Sequence, residues 1–139
     1  MRPLFLLLPM SMLLASGAQS QNLPYPPSDE ESMQTVQVTA SPRSRWVRED
    51  EARQVRGTYE MSNGWRLNVR TASRYIDATI DQRKPIRLIA VAPYKFASRD
   101  GNVTMDFNQG NWGEDMTMSY VPGPRMARIV ISSATIAQR

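Results

Sequence analysis

The chain has 139 residues and neither a cysteine nor a histidine. Without cysteine there is no disulfide, no thiolate nucleophile, no zinc finger and no lipidated N-terminal cysteine. Without histidine the commonest general base and the commonest transition-metal ligand are missing, so Ser-His-Asp hydrolysis is excluded. Lysine is scarce too. Of 17 basic residues only Lys84 and Lys95 are not arginine. No dense basic run occurs, and 13 acidic residues are scattered among the arginines. That pattern favours a solvated mixed-charge surface over a nucleic-acid footprint. The formal net charge is +4.

What is present begins with an export signal. Arg2 precedes an apolar run, Leu4 to Leu14, broken only by Pro9 and Ser11, and Ser16-Gly17-Ala18 supplies small residues for cleavage. The run is too short to span a bilayer. Residues 1–18 therefore read as a signal peptide, and the mature chain is expected to be exported, periplasmic or secreted in a bacterium, with no transmembrane span. Loss of Arg2 lowers the formal charge to about +3.

Residues 19–44 are rich in Pro, Ser and Gln and carry Asp29-Glu30-Glu31. Such composition buries little apolar surface, so a disordered tether is expected. Within it Thr35 to Ala40 alternates like a strand, and the alternatives are a polar linker or a segment added to a sheet edge. Arg45 to Val55 contains helix formers without Pro or Gly, with Glu49, Asp50 and Glu51 early and Gly57 beyond its end. A short helix is predicted there, with Trp46 plugging one end of the domain.

From Gly57 onward the pattern changes to period two. Tyr59 and Met61 alternate with polar neighbours, Ser62-Asn63-Gly64 turns the chain, and Trp65, Leu67 and Val69 alternate on the return. Similar segments follow at Arg74–Ile80, Pro85–Val91, Tyr94–Ser98, Val103–Phe107, Asp115–Val121 and Ala127–Ile131, separated by turn residues. Connections this short exclude parallel crossovers. The expectation is an all-β domain over residues 45–132, an antiparallel meander of about eight strands closed into a small barrel or roll, with one short N-terminal helix and a tail at 133–139.

The opening Gly57, Tyr59, Gly64, the later Tyr75 and Ala78, the set Leu88, Pro93, Phe96 and the strand ending in Phe107 carry a resemblance. Over roughly residues 57–120 the chain resembles the small lipocalin-like β-domains appended to bacterial serine hydrolases of the β-lactamase type. It also resembles short exported bacterial proteins consisting of that unit alone. The resemblance implies a barrel-like fold and carries over no functional residue. Asp81-Gln82-Arg83 departs from it, standing where a glycine-containing turn belongs.

The inward set is Trp65, Leu67, Val69, Ile76, Ala78, Ile80, Ile86, Leu88, Phe96, Val103, Met105, Phe107, Met116, Met118, Tyr120, Ile129 and Ile131. Most are bulky, which favours a filled interior over a ligand cavity. Met105, Met116, Met118 and Met126 read as gap-fillers or as an adaptable binding wall. Arg66, Arg70, Arg87, Asp77 and Asp81 point outward, in position for cross-strand pairs. Trp112, between Gly110 and Gly113, is either an exposed contact or a lid over the barrel end. Trp65 and Tyr94 complete the candidate contacts for a ligand or partner. No catalytic set, cofactor or metal site is expected. The functional expectation is a non-catalytic module binding an unknown protein partner, the alternative being carriage of a small apolar ligand.

Overall fold

The structure, a computed structural model, describes residues 23–28 and 43–133. The signal segment, the alternation at 35–40 and residues 134–139 lie outside the described residues. The eight strands are β1 (Gly57–Glu60), β2 (Arg66–Thr71), β3 (Tyr75–Ile80), β4 (Ile86–Ala92), β5 (Lys95–Ser98), β6 (Val103–Gln109), β7 (Asp115–Tyr120) and β8 (Ile129–Ser132). Each pairs antiparallel with the next, in sequence order, forming one meander. The all-β expectation holds.

Register explains the core. Because side chains alternate faces, directly opposed residues on neighbouring strands share a face. Tyr59 opposes Leu67, Leu67 opposes Ile80, and Ile76 opposes Leu88. Farther along, Phe96 opposes Met105, Met105 opposes Met118, and Met118 opposes Ile131. These rows form one contiguous core, joined by Val55, Met61 and Ala90. Of the inward set only Ile129 is half-exposed; every other member is buried. Phe107 sits edge-on to Phe96 at 5.7 Å and tilted against Tyr59 at 5.5 Å. Met105, Met116 and Met118 fill the core, whereas Met126 is exposed.

The expected closure is not reached. Among the described residues the sheet is a curled half-barrel: β8 meets the β1 side through the bridge Met61–Ser133 and a hydrogen bond from Ser62 N–H to the Ser132 carbonyl at 2.8 Å, with no ladder between β8 and β1. The bridge joins the residue after β1 to the residue after β8, so the described strands overlap at that one pair.

The helix, α1 (Glu49–Val55), begins four residues later than expected. Upstream, the Arg45 and Val47 N–H groups donate to the Ala90 and Ser73 carbonyls at 2.9 and 2.8 Å, which holds that stretch extended. Acidic residues at Glu49, Asp50 and Glu51 suit its N-terminal turn. Trp46 does not plug the domain. It is 63% exposed, with the Arg74 guanidinium 4.2 Å above its ring. Val55, fully buried, does the packing instead. Among the described residues no helix is long and apolar enough to cross a membrane.

Candidate functional site

An antiparallel meander collects alternate turns at opposite ends. One end carries α1, the turns at 72–74 and 93–94, and the β6–β7 turn. The other carries the turns at 62–65, 81–85, 99–102 and 121–128.

At the first end, the β6–β7 turn presents Trp112 at 86% exposure. Its backbone is built for this. Asn108, Gly110 and Gly113 have φ of 57°, 75° and 69°. A Cβ on Gly110 would lie 2.3 Å from Asp115 Oδ2, and one on Gly113 would lie 2.2 Å from Asn108 Oδ1. Both positions combine a left-handed conformation with close approach, where glycine costs least. The Thr117 hydroxyl, bonded to Gln109 Oε1 at 2.7 Å, ties the strand ends below the turn. Trp112 is thus an exposed projection, and the lid alternative does not hold.

Beside it, Tyr94 is half of a tight turn, with φ of 58°. Its ring is half-buried against the core and its N–H donates to Glu51 Oε1 at 2.8 Å. Glu51 is only 2% exposed. Arg45 Nη1 donates to both Glu51 oxygens at 2.9 Å, and at 3.3 Å to the Ala92 carbonyl. A buried carboxylate accepting three hydrogen bonds from two donors latches α1 and its lead-in onto the β4–β5 turn. Tyr94 therefore has a structural post, although part of its ring stays accessible. The Tyr59 hydroxyl, donating to the Val55 carbonyl at 2.8 Å, seats the other end of α1; burial pushes its pKa up to about 12.

At the opposite end stands a second cluster. Trp65 is 7% exposed because Tyr25 lies flat upon it, ring centroids 4.5 Å apart and planes 8° from parallel. Trp65 is thus a covered core residue, not an open contact. The Tyr25 hydroxyl donates to Asp81 Oδ2 at 2.8 Å, and Asp81 Oδ1 accepts the Arg66 N–H at 2.9 Å. Arg83 places its guanidinium 4.4 Å from the outer face of the Tyr25 ring. The Tyr120 hydroxyl donates to the Pro24 carbonyl, and Pro26 is buried. Residues 23–28 therefore do not behave as the tether expected for 19–44; one ring stack, one cation–π contact and two hydroxyl bonds outweigh their poor composition. The Tyr25 hydroxyl is held above its ordinary pKa by the Asp81 hydrogen bond, then by burial and the Asp81 charge. Tyr120 is pushed up to about 12 by burial.

Asp81 takes φ of 51°, the conformation glycine would adopt at the turn where the sequence departs from its resemblance. The aspartate tolerates it and adds a carboxylate that glycine lacks. Along the outer face, Arg87 pairs with Asp77 at 2.9 Å and Arg66 with Glu60 at 2.8 Å, the cross-strand pairing expected there. Sequence reasoning missed Tyr25, Glu51 and Arg45. A tyrosine set between prolines, and an aspartate replacing a turn glycine, are the signals that could have found the first.

Comparison with protein-family profiles, curated proteins and solved structures returns no match to this chain.

Proposed function

We propose that the chain is an exported, non-catalytic β-domain, of the lipocalin-like kind it resembles, acting as a protein-interaction or envelope-associated binding module. The observation that carries this reading is Trp112, 86% exposed on a turn whose glycines meet neighbouring side chains. A large aromatic side chain held in water on a shaped turn exposes apolar surface for which a partner is the natural cover. The sequence supports the non-catalytic part, since neither histidine nor cysteine is present. The filled rows of Leu67, Leu88, Met105, Met118 and Ile131 weigh against carriage of a small apolar ligand inside the sheet. Export to a periplasm or medium rests on the N-terminal signal pattern.

Affinity capture from envelope extracts with the mature chain, its Trp112→Ala variant and Trp112→Phe tests it. An exposed side chain contributes within about 0.5 kcal/mol to stability, so the variants should fold as wild type. Loss of an anchoring tryptophan costs about 2 kcal/mol or more of binding, about a 30-fold weakening. A partner enriched by wild type, lost with Ala and partly kept with Phe supports the reading. Identical protein sets with all three would refute it.

A further inference from the structure

The contacts of residues 23–28 have the form of a ligand in a site. A Leu-Pro-Tyr-Pro-Pro-Ser stretch without regular secondary structure lies against an aromatic surface formed by Trp65 and Tyr120. Its tyrosine is clamped between the Trp65 ring and the Arg83 guanidinium, and its hydroxyl is read by Asp81. Its backbone is read at the Pro24 carbonyl by Tyr120. Proline-rich segments are recognised on aromatic surfaces because their extended conformation is already set and little entropy is lost on docking. The reading groups all come from the barrel. Tyr25, Pro26 and Ser28, with Ile80, Arg83 and Ile86, also line a concavity of about 370 Å³, so the segment leaves room beside itself.

The chain connection makes exchange possible. Fourteen residues separate Ser28 from Arg43, a contour of about 45 Å when extended. Occupancy in cis therefore owes much to effective concentration. Any second copy of this chain carries the same segment and the same site.

We propose that the surface formed by Trp65, Asp81, Arg83 and Tyr120 is a recognition site for a proline-flanked tyrosine segment, filled in cis here and able to take the segment of a second copy. The occupant in trans is residues 23–28 of that copy. The site lies at the end of the sheet opposite Trp112, so it stands independently of the function proposed above.

The test uses the full mature chain and a fluorescein-labelled peptide of residues 21–28. Tyr25→Ala removes the resident side chain and leaves the reading groups in place. The peptide is expected to bind Tyr25→Ala saturably, with at least tenfold weaker binding to wild type, whose own segment competes. Tyr25→Ala combined with Asp81→Gly keeps the left-handed turn but removes the acceptor for the hydroxyl, and should weaken binding at least tenfold. Asp81→Asn in its place should restore part of it. Mixing Tyr25→Ala chains with Asp81→Gly chains, one offering a site and the other a segment, should give a 1:1 complex by sedimentation. No saturable binding to Tyr25→Ala, or equal binding to wild type, overturns the site. Peptide binding without a mixed complex overturns the second copy as the source, leaving a foreign segment of the same chemistry.

Discussion

Removing the Glu51 carboxylate is the sharpest perturbation of the latch at the α1 end. Glu51 is 2% exposed and accepts two bonds from Arg45 and one from the Tyr94 N–H. In Glu51→Ala the Tyr94 N–H loses its acceptor, a cost of about 1–3 kcal/mol for a buried donor. Arg45 also loses its counter-charge. Removing one partner of a fully buried pair costs about 3–5 kcal/mol, but the Arg45 side chain keeps 28% of its surface and part of its hydration, which lowers that figure. The expected total is about 3 kcal/mol, equivalent to about 12 °C or more in Tm for a domain of this size. Arg45→Met with Glu51→Leu removes both charges together and should recover more than half of the loss. Thermal melts by circular dichroism and urea unfolding by tryptophan fluorescence would measure all three proteins. A loss below about 1 kcal/mol for Glu51→Ala, or no recovery in the double variant, would refute the reasoning.

Leu67, fully buried between Tyr59 and Ile80, should cost about 2–5 kcal/mol when cut to alanine, whereas exposed Val130→Ala should change little; urea midpoints compare them. Gly110→Ala forces a side chain into φ of 75° against Asp115 and should cost about 1 kcal/mol or more, with altered Trp112 emission if the turn reshapes. Stability should also fall in alkali. Tyr59 and Tyr120 have pKa values pushed from 10.0 to about 12, so the unfolded chain releases these protons first. Their contribution is constant below pH 10 and is lost as pH rises toward about 12. Stability flat through that window, followed by denaturation at fixed temperature, would oppose these assignments.

The sheet was readable because period two is a strong physical signal once one face is buried. Leu67, Val69, Ile76 and Ala78 announce their face, and short Asn, Asp and Gly turns dictate antiparallel order. How β1 and β8 meet was not readable, since strand offset depends on where the two overlap, and no side-chain pattern encodes that. Trp46 misled for a related reason: its position suits a helix face, yet the Ala90 carbonyl of β4 and the Ser73 carbonyl of the β2–β3 turn capture the backbone before the helix starts. Tyr25 lay in a segment whose composition argues for disorder. Its placement depends on Trp65, Asp81 and Arg83, all at least 40 residues away, which a local reading does not bring together. Trp112 was legible as a candidate. Only its exposure distinguished projection from lid.

An interior occupied by side chains leaves binding to the exposed ends. Titration of the mature chain with a fluorescent apolar probe such as N-phenyl-1-naphthylamine tests this most directly. No saturable uptake is predicted, with wild type and Trp112→Ala alike. Stoichiometric 1:1 binding, displaced by fatty acid and weakened when Ala78 or Ala90 on the inner face is enlarged to leucine, would contradict it.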